Sequence, residues 1–316
     1  MGAREGTTTY TYGTLGELKS VVKPDGTVIR YYQNADHQRV AKEIDGTIVE
    51  KYLWEDLTTL LAVYKVNGEA REGALGYGTL WGGEVLLADL HDYKRVHHLK
   101  PFRLLGGAKA VKEPRRVALS LLFECYTLEE ILSLESETTR SFTADEIKSL
   151  YTMWQKGLNS PYTTSLGRVF DAVASLAGVA QILGYEGESG LLLESLIEDE
   201  IDLDKKFSYT IEDDSIDISA MVKEILHVKD PATISSMFIS MVVHIILDTV
   251  GRYPSLPVIL SGGVFQNRVL VDKLVKEFKK RKIRYYIQKD TPVNDGSIAL
   301  GQAYYAVNRQ WGESGR

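Results

Sequence analysis

The sequence predicts an α/β domain, rich in helix, behind an antiparallel β-hairpin segment, and three observations carry that expectation. Near the C-terminus a short apolar run, Val258-Ile259-Leu260, ends in Ser261-Gly262-Gly263. Helical spacing follows at Val264, Leu270, Val271, Leu274, Val275 and Phe278. Between residues 117 and 250, apolar side chains recur every three and four positions, as on core-facing helices. Residues 7–68 read differently, as alternating strand-like runs separated by Asp-Gly and Gly turns.

Bulk properties exclude several function classes. A chain of 316 residues forms one large domain or two small ones and affords a sizeable core. Its 44% hydrophobic and 25% charged composition is that of an ordinary globular protein. A net charge of −6 argues against a nucleic-acid partner. The single cysteine, Cys125, excludes an internal disulfide and a cysteine-cluster metal site, and its apolar surroundings mark a packed thiol. No apolar stretch reaches membrane-spanning length; residues 238–250 are too few and contain His244 and Asp248. The polar, Thr-rich N-terminus is unlike a signal peptide. The expectation is a cytoplasmic protein with no membrane partner.

In chain order, Thr9-Tyr10-Thr11-Tyr12 alternates like a strand and 18–22 returns. Asp25-Gly26-Thr27 then marks a hairpin, and Asp45-Gly46-Thr47 repeats it twenty residues on. Gly76-Tyr77-Gly78 and Trp81-Gly82-Gly83-Glu84 open a new region. Strands at 85–90 and 95–102 follow, then a turn at Gly106-Gly107. Helices are expected over 117–126, 144–156, 166–183, 190–200 and 232–250, punctuated by Ser160-Pro161, Gly184 and Asp230-Pro231. The acidic run 198–217 reads as a solvated loop with a short strand. A strand at 284–287 leads to Pro292-Val293-Asn294-Asp295-Gly296 and a helix over 297–308.

The chemistry concentrates where strands end. Gly262 and Gly263 let backbone approach an anion at a helix start, and Asn267, one turn in, offers an amide to a ribose or phosphate oxygen. Asp295 closes the second strand–loop–helix unit, where open α/β sheets bind ligands. Plain turn glycines fit the Gly-Gly pair equally well. Gly167 opens a helix, and Asp171, one turn on, would accept ribose hydroxyls or balance the helix dipole. Glu186 lies in a Gly-bounded loop as a ribose or purine contact, while Glu188 suits a helix start. His97 and His98 point to opposite faces of a strand, cannot share one metal, and read as surface or rim residues.

Ser261-Gly262-Gly263-Val264-Phe265-Gln266-Asn267-Arg268, followed by Pro292 through Ala303, resembles the end of the hydrogenase-maturation carbamoyltransferases, the HypF family. Gly76-Tyr77-Gly78, Trp81-Gly82-Gly83-Glu84, Gly106-Gly107 and Ser165-Leu166-Gly167-Arg168-Val169-Phe170-Asp171-Ala172 occur in that family's order. The resemblance implies a partial actin-like ATPase (ribonuclease H-like) domain over residues 73–316. It also implies ATP as cofactor and transfer of a carbamoyl group, derived from carbamoyl phosphate, to a cysteine thiol on a hydrogenase-maturation partner protein. By motif match, Gly262, Gly263 and Asn267 would hold phosphates or ribose, Gly167, Asp171 and Glu186 would line the nucleoside, and Asp295 would face a divalent metal, zinc or iron. Residues 1–72 resemble YD (RHS) repeats, with Tyr32, Ala35, Asp36 and Arg39 on pattern and Gly13, Glu17 and His37 off it.

The departures shape the expectation. The family's His-His-x-Ala-His run upstream of Gly-Tyr-Gly has no counterpart, and Gly73-Ala74-Leu75 stands where its Asp-Gly would be. Asp295 alone remains of the metal set, and one carboxylate does not hold a metal. The reading is a truncated or rearranged fusion whose autonomous transfer is weak or absent. Two alternatives stay open: a related O-carbamoyl or threonylcarbamoyl transferase, and a non-enzymatic interaction protein in which the repeats present the C-terminal domain.

Overall fold

The computed structural model describes residues 7–13, 18–33, 39–54, 60–65, 82–89, 93–197, 200–298 and 300–301. By internal contacts the chain divides into Met1–Leu80 and Trp81–Arg316.

The first unit is a six-stranded antiparallel meander of β1 (Thr9–Tyr12), β2 (Leu18–Val22), β3 (Val28–Gln33), β4 (Arg39–Ile44), β5 (Thr47–Trp54) and β6 (Leu60–Lys65), paired in sequence order. The Asp-Gly turns do what their chemistry allows. Asp45 and Gly46 both adopt positive φ, 48° and 85°, as a tight two-residue hairpin requires. The Asp45 carboxylate also accepts the Val28 N–H at 2.7 Å, tying neighbouring hairpins together. Strands β4 and β6 were not anticipated by the alternation pattern.

The second unit carries the large core. Its elements are β7 (Glu84–Ala88), β8 (Tyr93–Leu99), β9 (Phe102–Arg103), α1 (Ala108–Lys112), α2 (Pro114–Cys125), α3 (Leu128–Ser133), α4 (Glu137–Arg140), α5 (Ala144–Lys156), β10 (Tyr162–Thr163), α6 (Leu166–Leu176), α7 (Glu188–Ser195), β11 (Thr210–Glu212), β12 (Ser215–Asp217), α8 (Ser219–Ile225), α9 (Pro231–Gly251), β13 (Val258–Leu260), α10 (Arg268–Lys280) and β14 (Tyr285–Ile287). One sheet runs β11-β12-β8-β7; β13 and β14 pair in parallel, with Ile259 opposite Tyr286. Helices α2 and α6 pack face to face, and Phe170 meets Phe238 edge-on at 4.7 Å, joining α6 to α9.

Several sequence expectations need correction. The helix expected over 166–183 stops at Leu176: Gly178 turns back with φ 76°, and a Cβ there would lie 2.9 Å from Glu137 Cγ. The acidic run is more than solvated loop, since Ile201, Phe207 and Ile216 within it are buried in the core. Helix α9 has 21 residues with a mean hydropathy of 1.7, long and apolar enough to cross a membrane by length and composition, so the expectation that no stretch reaches that length does not hold. Here it is the core helix, with Phe238, Ile239, Met241, Val242 and Val243 almost wholly covered. Residues 73–81, with the Gly-Tyr-Gly, and 302–308 lie outside the described residues.

Candidate functional site

Strand β13 ends at Leu260, and the chain turns through Gly262 at φ 111° and ψ 157°, a conformation reserved for glycine. A Cβ there would meet nothing within 4 Å, so the bend faces open space rather than packed side chains. The Gly262 N–H donates to the Val293 carbonyl at 2.7 Å. That bond joins the end of β13 to the loop after β14, and with it the neighbouring Asn294 and Asp295.

The helix expected from Val264 is in two parts. A 3-10 turn over Gly263–Gln266 comes first, and α10 starts at Arg268. Asn267 is therefore the N-cap rather than a residue one turn inside. Its Oδ1 accepts the Leu270 N–H at 2.9 Å, while its Nδ2 is buried without a hydrogen-bond partner among the described residues. A buried amide donor with nothing to donate to costs on the order of 1–3 kcal/mol unless something answers it. The first N–H groups of the 3-10 turn, like those of any helix start, have no partner within the turn. An open glycine bend and an unanswered amide fit a phosphate oxygen.

On the other side, Gly167 is the second residue of α6, and Ser165 caps that helix by accepting the Arg168 N–H at 3.3 Å. Asp171 is 1% exposed. Ser189 donates to its Oδ1, and Arg168 Nη1 lies 2.7 Å from its Oδ2, a contact ion pair rather than an aligned hydrogen bond. Burial pushes the Asp171 carboxyl up to about 6 in spite of Arg168 and Ser189, which oppose the shift. Glu186 is exposed, with Oε1 3.3 Å from Arg168 Nη2. Glu188 opens α7 and takes the Gly184 N–H at 2.6 Å. Helix α6 touches the 3-10 turn, and the Arg268 N–H donates to Glu194 of α7 at 3.3 Å, so the elements that carry the two groups are in contact.

Sequence reasoning passed over Arg168, the residue joining Asp171 to Glu186, although its spacing three before Asp171 on a helix was visible. It also misplaced His97. That imidazole is 3% exposed, has no aligned partner for either nitrogen among the described residues, and is held below its ordinary pKa by burial. It is neither a surface nor a rim residue. His98 bonds through Nδ1 to its neighbour's carbonyl, Leu99 O, at 2.8 Å.

Asp295 is exposed at the start of a 3-10 turn, beside Asn294, whose Oδ1 accepts the Gly296 N–H at 3.1 Å. Among the described residues no group of three or more His, Cys, Asp and Glu assembles. Those residues do not fit a resident divalent metal. A hollow of about 470 Å³ lined by Phe207, Tyr209 and Asp248 contains none of the candidate site residues.

Residues 74–302 match the family model described as carbamoyltransferase, Kae1-like domain, second subdomain. Carbamoyltransferase HypF of Synechocystis sp. is 29% identical over 77% of this chain and 35% of its own length. Carbamoyltransferase HypF of Rhodobacter capsulatus is 34% identical over 73% of this chain and 30% of its own. The crystal structure of full-length HypF in the phosphate- and nucleotide-bound form superposes with a TM-score of 0.64 at 28% identity, over 78% of this chain and 32% of that one. The chain thus spans about a third of the length of these relatives. With the family model matched over most of its length, the chain belongs to the HypF carbamoyltransferases, through the second subdomain of their Kae1-like domain.

Proposed function

We propose that this chain forms the nucleotide-holding side of an ATP-dependent carbamoyl transfer, in an actin-like ATPase domain. The observation that carries the reading is the 2.7 Å bond from the Gly262 N–H to the Val293 carbonyl, which brings two strand ends to one open bend. The phosphates would lie against Gly262, Gly263 and Asn267 Nδ2, with the nucleoside toward Gly167, Asp171 and Glu186. The bound form of the related full-length HypF crystal structure, with phosphate and nucleotide, supports a ligand of that kind.

The carbamoyl group would come from carbamoyl phosphate and pass to a cysteine thiol of a hydrogenase-maturation partner in the cytoplasm. A zinc or iron ion beside Asp295 would need its other ligands from outside the described residues. For that reason we place the autonomous transfer rate of this chain low. The hairpins of the first unit are read as YD-type repeats that present the second unit.

Isothermal titration of ATP into the full chain tests the reading. Saturable binding is expected, weakened about tenfold or more by Asn267→Asp, which keeps the capping oxygen and removes the amide donor. A chain that takes up no ATP would remove the nucleotide site and leave an interaction role for the fold.

A further inference from the structure

We propose that the hollow between β11 and the end of α9 is a second binding site, for a zwitterion of the amino-acid type with a bulky apolar side chain.

Its walls follow from strand register and helix spacing. Tyr209, just before β11, and Ile211 within it are two apart, so both side chains point to one face of the sheet. Ile211 stands opposite Ile216 and Ile216 opposite Leu99, both buried, so that face is the one turned to the core. Strand β11 is the edge of its sheet, and Asp248 and Arg252, four apart at the end of α9, lie on one side of that helix. The Tyr209 hydroxyl donates to Asp248 Oδ2 at 2.5 Å and joins the two elements. The space left is about 470 Å³. Sites for small molecules span roughly 300–1,000 Å³.

The charges around it decide the ligand. Lys206 and Arg252 are matched by Asp204 and Asp248, so the lining is neutral as a whole and does not select a polyanion. Yet Lys206, Arg252 and the Asp204 carboxylate have no hydrogen-bond or ion-pair partner among the described residues. The dipole of α9 accounts for a cation at its C-terminal end, but not for Lys206 and Asp204, which the segment before β11 brings. Burial, with the Asp248 carboxylate, pushes the Tyr209 phenol above its ordinary range, so it stays a donor and leaves Asp248 Oδ1 for a ligand. A ligand carboxylate would bind Arg252 and Lys206, its ammonium Asp248 and Asp204, and its apolar side chain would lie on Tyr209 and Ile211. Charge-assisted bonds of both signs make such a site selective.

His97 gives the site a reporter. Two before Leu99 on β8, it shares the same sheet face and is 3% exposed. Burial holds its pKa down, helped by the Arg252 charge and by His98, while Asp214 and the Asp213 backbone oppose. A carboxylate seated on Arg252 would offset that charge and raise the His97 pKa.

The test is calorimetric titration of the full chain with L-phenylalanine, L-leucine, phenylpropionate and phenylethylamine, with the His97 imidazole followed by NMR. At least one amino acid is expected to bind saturably at millimolar concentration or below. Phenylpropionate, which lacks the ammonium, and phenylethylamine, which lacks the carboxylate, should bind about tenfold or more weaker than L-phenylalanine. The Arg252→Gln protein should lose amino-acid affinity by a similar factor with its unfolding midpoint unchanged, because Arg252 is exposed and holds nothing. Binding should also move the His97 titration to higher pH in wild type. No saturable binding of either amino acid, phenylpropionate binding as tightly as L-phenylalanine, an Arg252→Gln protein with full affinity, or binding that leaves His97 unmoved overturns the proposal. None of these outcomes touches the ATP reading, which uses other residues.

Discussion

Asp171 is a carboxylate placed where water cannot reach it, and its titration should be visible in stability. Its folded-state pKa is raised from the ordinary 3.8 to about 6, mainly by burial. The folded chain therefore holds that proton more tightly than the unfolded one. The group's stabilising contribution is fully present below about pH 3.8 and is lost as pH rises through about 6. A shift of that size corresponds to on the order of 3 kcal/mol. Glu113, held below its ordinary value by Arg116 and Arg115 although burial opposes them, acts in the reverse sense. The clean measurement is thus the difference between wild type and Asp171→Asn in urea unfolding from pH 4 to pH 7. Wild type should lose stability relative to the variant across that window, and a difference that stays flat would mean the pair titrates elsewhere. The motif around Asp171 was legible in the sequence, but its environment was not. Ser189 comes from another helix, and no local spacing announces that contact. Asn267 divides the same way: its place after a Gly-Gly turn could be read, whereas its capping role depended on a 3-10 turn that the apolar pattern from Val264 concealed. Asn267→Ala removes the cap as well as the amide and should cost about 1 kcal/mol more in stability than Asn267→Asp.

At the scale of elements, glycines decide how strands approach helices. Gly82 and Gly83 read in sequence as part of a Trp-Gly-Gly-Glu motif with turn character. In the fold they are contact surfaces. A Cβ on Gly82 would lie 2.6 Å from Ser165 Cα, and one on Gly83 would lie 2.4 Å from the Thr164 carbonyl oxygen. The Leu166 N–H donates to the Gly82 carbonyl at 3.2 Å, and Thr164 donates to Glu84 Oε1 at 2.6 Å. The motif therefore seats the start of β7 against the segment that launches α6, and with it Gly167, Arg168 and Asp171. That seating joins residues about eighty positions apart, which is why the motif could be recognised and its purpose could not. Gly83→Ala collides with backbone that has little freedom to move. A loss of about 3 kcal/mol in chemical unfolding is expected, near the upper end for overpacking. Gly262→Ala is the contrasting case, because space is open there and only the backbone angle resists. It should cost about 1–3 kcal/mol through strain alone. If Gly83→Ala proves as mild as a surface change, the docking of β7 on the α6 entry is not what holds the site in place.

For the molecule as a whole, the governing fact is where the apolar core lies. The contiguous buried cluster runs from Leu99 to Phe278 and draws entirely on the second unit. In the first unit the covered apolar side chains are few among the described residues, Val21, Ile29 and Ala41 being between 8% and 9% exposed. A hairpin array of this kind buries its faces mainly against its own neighbours, so its stability is a property of adjacent strands. Two bodies with separate cores unfold as separate cooperative transitions. The full chain is expected to melt in two steps, the larger heat belonging to Trp81–Arg316. A protein starting at Trp81 should then lose the smaller transition and keep the midpoint of the larger within about 2 °C. It should also bind ATP as the full chain does, since Gly262, Asn267, Arg168 and Glu186 all lie in the second unit. A single transition in the full chain, or a shortened protein whose midpoint falls by about 10 °C, would show that the hairpin sheet contributes to the fold of the transferase domain. At roughly 2–4 °C per kcal/mol for a domain of this size, that fall corresponds to a contribution of several kcal/mol, too large for a segment that only presents it.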